Sequence, residues 1–124
     1  MKTYHPDLVS GRWFTFSIAE QLANVGSEYE RALRAKGQGD RERFQHALAR
    51  MLELMDLTIA DPRWHNHRLR ELCRVRGIAC EQLCSENPEL WARQDLKDYF
   101  LRFGILARNE RDKARAKQVA SVES

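Results

Sequence analysis

Apolar residues recur at steps of three and four along most of this chain, and that period demands helices. Ile18, Leu22, Val25, Tyr29 and Ala32 draw one such stripe. Phe44, Ala47, Leu48, Met51, Met55 and Ile59 draw a second, and Leu69, Leu72, Ala79 and Leu83 a third. Ala92, Leu96, Tyr99, Phe103 and Leu106 complete a fourth. With only three prolines and six glycines in 124 residues, little breaks these runs. The alternation of a strand is weak everywhere. Only "WFTFSI" could carry it, and the helix signal that follows claims its end.

The breaks that do occur are chemically specific. "SIAE" is a capping box, with Ser17 as N-cap and Glu20 three residues on. Gly37 stands where a left-handed C-terminal cap belongs, and "GQGD" makes a short turn to Asp40, the next N-cap. "DP" at 61–62 ends the second helix, because a residue before proline avoids the α region. "SENPEL" restarts the chain, with Asn87 as cap and Pro88 in the first helical position. The fold expected is all-α, an antiparallel up-down four-helix bundle over 17–107. An irregular segment, 1–16, packs Trp13, Phe14 and Phe16 onto it, and a charged, partly frayed extension, 108–124, follows. The second helix, apolar nearly all round in "LELMDLTIA", is expected to be the most buried.

The balance of 43% hydrophobic and 31% charged residues fits a soluble globular domain and excludes a disordered chain. No window approaches a membrane span, and "MKTYHPDLVSGRWFTF" does not read as a secretory signal. A cytoplasmic protein with reduced thiols is expected. The net charge is only +3, but the bases are 16 Arg against 5 Lys. Arginine's planar fork suits carboxylates and phosphates.

The third helix, expected over about 66–85, concentrates the chemistry. Cys73, Cys80 and Cys84 share one face at spacings of seven and four. The first pair stands about 10 Å apart along a helix, too far for a disulfide. No second ligand pair offers a zinc site, so the cysteines are read as small core hydrophobes, and no metal or cofactor is expected. Five Arg and two His lie between Arg63 and Arg76 with one acid, Glu71. His67, Arg70 and Arg74 form a ridge. Bases near the helix start, with Glu81 and Glu86 at its far end, run against the helix dipole. Asp56 and Asp61 at the end of the second helix could compensate internally; an external anion such as nucleic-acid phosphate is the alternative. Arg76 falls between Leu72 and Ala79 on the apolar stripe, and Asp56 is its natural partner in a buried polar pair. Gly77, beside it, marks a kink or a close helix contact. The tail adds Arg108, Arg111, Lys113 and Arg115 as a phosphate-seeking arm.

"EQLANVGSEYERAL", "LELMDLTIADP" and "RLRELCRVR" resemble small prokaryotic helical proteins, a likeness that implies fold and not function. The layout is also similar to HEPN domains, four-helix bundles that include metal-independent ribonucleases. Their motif is Arg, four to six residues, then His. At the comparable place stand Arg76 and Glu81, without the His; Arg41 and His46 in "RERFQH" keep the spacing but lie early in the second helix. Size and charge further resemble the four-helix proteins of ribosomal RNA intervening sequences and retroelement accessory proteins. The function expected is a non-enzymatic binding or adaptor module that self-associates. It presents Arg63, His67, Arg70, Arg74 and the tail to RNA, DNA or an acidic protein partner encoded nearby. The alternatives are a HEPN-like ribonuclease or degenerate relative, and a purely structural partner protein.

Overall fold

The computed structural model describes Pro6, residues 11–91 and residues 93–123. It is an all-α helical bundle, with no strand among the described residues. Four helices make the body: α1 (Ile18–Gly37), α2 (Arg41–Ala60), α3 (Leu69–Cys84) and α4 (Asp95–Glu123). Single turns at Arg12–Thr15, Pro62–Trp64 and Pro88–Trp91 link or precede them.

The caps follow side-chain chemistry. Ser17 Oγ accepts from Glu20 N at 3.1 Å, while Glu20 Oε1 accepts from Ser17 N at 3.2 Å, closing the capping box. The left-handed residue after α1 is Gly39, with φ of 71°, and not Gly37, which is still helical. Gly39 N donates to Lys36 O and Asp40 N to Ala35 O, the paired bonds of a Schellman ending. The turn therefore reverses two residues later than expected. Asp40 Oδ1 then accepts from Arg43 N and opens α2.

The fourth helix begins later than "SENPEL" suggests. Asn87 Oδ1 accepts from Glu89 N, but the turn it starts ends at Trp91. Arg93 and Gln94 are not helical, and α4 starts at Asp95. Ala92, expected on this stripe, lies outside the described residues, as do 1–5 and 7–10 of the N-terminal segment. The charged extension continues α4 as helix to Glu123 rather than fraying.

The core centres on α1, where Leu22, Val25, Tyr29 and Ala32 are buried and Ile18 is half-buried. It corrects the expectation for α2. Leu48, Leu52, Leu57 and Ile59 of α2 are only half-buried, because that helix lies at one side. α1 touches α2, α3 and α4 and buries residues on most of its circumference, including Gln21, Gly26 and Glu28. Along α1, Gln21 reaches Asp61 and Glu28 reaches Arg50, while Ser17 reaches Glu110 and Tyr29 packs on Phe100. Rising numbers on α1 meet falling numbers on both neighbours. Trp13 is fully buried against this core, with Phe14 and Phe16 half-buried beside it.

On α4 the buried residues are Leu96, Phe100 and Ala107, whereas Leu106 is half exposed. Phe100 meets α1 at its one close glycine. A Cβ on Gly26 would stand 2.6 Å from Phe100 Cβ. Gly77, expected at a kink or close contact, has nothing within 4 Å of such a Cβ and is exposed. The two glycines should respond oppositely to alanine. In urea unfolding, Gly26→Ala should lose about 1–3 kcal/mol through overpacking, and Gly77→Ala should gain about 0.5–1 kcal/mol from helix propensity. A Gly26→Ala protein as stable as the parent would refute the close α1–α4 contact.

Candidate functional site

The third-helix arginines divide into committed and uncommitted groups. Arg63 is committed. Its Nη2 donates to Asp61 Oδ2 at 2.7 Å and to Phe16 O at 2.6 Å, and its guanidinium covers the Trp64 ring at 4.5 Å. Arg68 pairs with Glu71 at 3.5 Å. Arg76 Nε donates to Asp56 Oδ1 at 2.8 Å. That last pair is not buried: the two side chains are 38% and 58% exposed. The reason is the register of α3. Leu72, Val75, Ala79 and Leu83 make the core stripe, so Val75 fills the place assigned to Arg76. An exposed pair of this kind is worth between nothing and about 1 kcal/mol.

The same register displaces the cysteines. Cys73 and Cys84 are exposed and Cys80 is half-buried, so none belongs to the core. Each falls beside a core residue, about 100° around the helix. Burial nonetheless pushes the Cys80 thiol up. Among the described residues, no three His, Cys, Asp or Glu side chains converge where a metal ion could bind. His65 Nε2 lies 2.8 Å from Ile59 O.

Internal contacts compensate only part of the charge set against the α3 dipole. Glu71 sits in the first turn beside Arg68. At the far end Lys36 Nζ of α1 donates to Leu83 O, supplying the cation that a C-terminus favours. Lys36 lies over the rings of Phe44 and Trp91, 4.8 and 5.1 Å from their centroids.

Arg70 and Arg74 remain. Both are exposed, and neither has an ion pair among the described residues. They face a cleft of about 500 Å³ between α3 and α4, with His67 at its edge and Arg102 and Tyr99 on the opposite wall. Tyr99 Oη donates to Glu71 Oε1 at 2.8 Å, which fixes the ring; burial, then that bond, raises the phenol well above its usual range. Asp95 also lines the cleft and is held by Arg93 at 3.1 Å. Arg102 was not visible as a site residue in the sequence, because it joins the ridge only when α4 lies beside α3.

The other candidates lie elsewhere. Arg76 and Glu81 are five positions apart, about 140° around α3, and point to different sides. Arg41 is exposed at the start of α2, beside Lys36, Phe44 and Trp91. His46 lines a separate cavity with Arg31, Arg34, Arg43 and Arg50. Arg108, Arg111, Lys113 and Arg115 are exposed on the continuous α4 helix. Spacings of three and four gather Arg108, Arg111 and Arg115 on one side.

Arg63 serves the fold through Asp61, which is 1% exposed. Burial alone would push this carboxyl up, but bonds from the Arg63 and Gln21 side chains outweigh it and hold the group below its ordinary value of 3.8. Gln21 Nε2 donates to Asp61 Oδ2 at 3.1 Å and to Trp13 O at 3.0 Å, while its Oε1 accepts from Trp64 Nε1 at 2.9 Å. A depressed carboxyl contributes stability above its unfolded value and loses it as pH falls through the folded one. Asp61→Asn should therefore cost about 2 kcal/mol at neutral pH. The gap to the parent should close as pH falls below about 4, read from urea midpoints at a series of pH values. A gap independent of pH would remove the ionised carboxylate from this role.

In comparisons with known proteins, no family model, curated protein or solved structure matches this chain.

Proposed function

We propose that this chain is a non-enzymatic helical binding module that contacts nucleic-acid phosphate through the α3–α4 cleft. One observation carries the reading: of the five arginines between positions 63 and 76, the two without internal partners among the described residues, Arg70 and Arg74, face the same cleft as Arg102. Three guanidiniums around a fixed tyrosine match a phosphate backbone, where Arg forks bind oxygens in pairs. Arg108, Arg111 and Arg115 extend the basic surface along α4. Arg63, expected as part of the contact, serves Asp61 instead.

The test is fluorescence anisotropy with a labelled single-stranded RNA and the matching DNA over a range of salt. Affinity should fall steeply with salt, and Arg70→Glu with Arg74→Glu should weaken it and reduce the log–log slope by about 2. No binding at low salt, or binding that ignores both substitutions, defeats the reading.

A second reading, self-association, rests on a different observation. Leu101 and Ile105 are 60% and 51% exposed on the side of α4 turned away from Phe100 and α1. Val119 and Val122, also exposed, stand on that side about 20 Å further along the helix, beyond Arg108, Asp112 and Arg115. Leu101 and Ile105 are the apolar side chains of this contact, and a second copy of α4 would cover them. Sedimentation should show a dimer that Ile105→Glu dissociates; a monomeric mass at every concentration overturns it.

A further inference from the structure

α1 and α2 carry a second basic site, remote from the α3–α4 cleft. Arg31, Arg34 and Gln38 of the α1 side face Arg43, His46 and Arg50 of α2 across one open cavity of about 360 Å³. The positions follow from helix periodicity. Residues 31 and 34 are three apart, and 43, 46 and 50 are three and four apart, so each set forms a row along its helix. The three-residue turn at 38–40 folds the two rows against each other.

Below the cavity lies Glu28, whose side chain is 8% exposed. Its Oε1 accepts from Arg31 Nη1 at 2.8 Å and its Oε2 from Arg50 Nε at 3.0 Å. One buried carboxylate thus fixes two guanidiniums from different helices. Each has five N–H donors and spends one on Glu28, so the rest stay available. Arg43 reaches Asp40 at 3.4 Å, and Arg34 makes no ion pair among the described residues. The carboxylates bonded to these four guanidiniums are two, Glu28 and Asp40, so the lining of the cavity is predominantly basic.

Glu28 offsets part of the repulsion between these rows of like charge, and an anion in the cavity above it would offset more. We propose that this cavity binds a phosphate dianion, either free or as the terminal group of a small phosphorylated molecule. The basic lining favours a doubly charged anion over a singly charged one. The forks of Arg31 and Arg50 are held before the ligand arrives, so little side-chain ordering remains to oppose binding. The volume lies at the small end of ligand pockets, enough for a phosphoryl group and a small substituent. This site shares no residue with the α3–α4 cleft, so either can fail alone.

The test is a proton–nitrogen NMR titration of the full chain with inorganic phosphate, and in parallel with glycerol phosphate, sodium chloride holding ionic strength constant. Saturable shifts should centre on residues 31–50, including the Arg31 and Arg50 Nε–H signals. Tighter binding of glycerol phosphate identifies a phosphorylated molecule as the ligand; equal or weaker binding identifies free phosphate. Arg34→Gln and, separately, Arg43→Gln replace exposed side chains and should preserve the helical circular-dichroism spectrum. Arg34→Gln should weaken binding about tenfold or more, and Arg102→Gln should leave it unchanged. Shifts that follow chloride equally, shifts centred outside residues 31–50, or full affinity in both the Arg34 and Arg43 variants would overturn the proposal.

Discussion

A single buried carboxylate holds one end of this bundle together. Asp61 ends α2, and its oxygens gather Arg63, Gln21 and, through Gln21, Trp13 and Trp64. A charge so deeply placed is unfavourable unless its hydrogen-bond capacity is filled. Here a guanidinium and a buried amide fill it. Trp13 also donates to Thr58, whose hydroxyl donates back to Leu54 O. The segment before α1, the start of α1 and the exit from α2 are thereby fixed by one network. Removing any member leaves the others with unmet polar groups, so the network behaves as a unit.

The far end is joined by different means. Lys36 reaches the Leu83 carbonyl near the end of α3 and lies over two aromatic rings, and Tyr29 Oη donates to Gln82 Oε1 at 2.6 Å across the core. Burial first, then the negative charges of Asp95 and Glu30, push the Tyr29 phenol up to about 12, so it stays protonated and keeps that bond. α1 is the common partner at both ends. It positions α2 through Glu28 and α4 through Gly26, and so determines which arginines face one another.

Much of this was legible in the residues themselves. Local chemistry set the helix limits: Ser17, Asp40 and Pro62 act through bonds to near neighbours, and their effect is contained in a few positions. What failed was register. Arg76, Val75 and the cysteines differ by one position on a helix, and only the neighbouring helices decide which of them turns inward. For the same reason the burial of α2 was overestimated, since an apolar run does not say how many neighbours cover it. The pairing of Arg76 with Asp56 follows from charge, but its exposure follows from packing. Gly26 gives no local sign of its contact, because Phe100 lies 74 positions away. The row of Arg31 and Arg34 and the row of Arg43, His46 and Arg50 each follow from helical spacing. That they share a cavity is a property of the turn between them.

The length of α4 has an electrostatic consequence. Glu110 accepts from Ser17, the N-cap of α1, at 2.7 Å, and the helix continues to Glu123. At 1.5 Å per residue, the stretch beyond Glu110 is about 20 Å long. The Debye length at physiological ionic strength is about 8 Å. Charges more than about two turns beyond Glu110 are therefore largely screened from those around Ser17. The molecule does not present one broad positive field. It presents local basic surfaces, each sensed only at short range, so a long polyanion can touch more than one of them and a small anion only one.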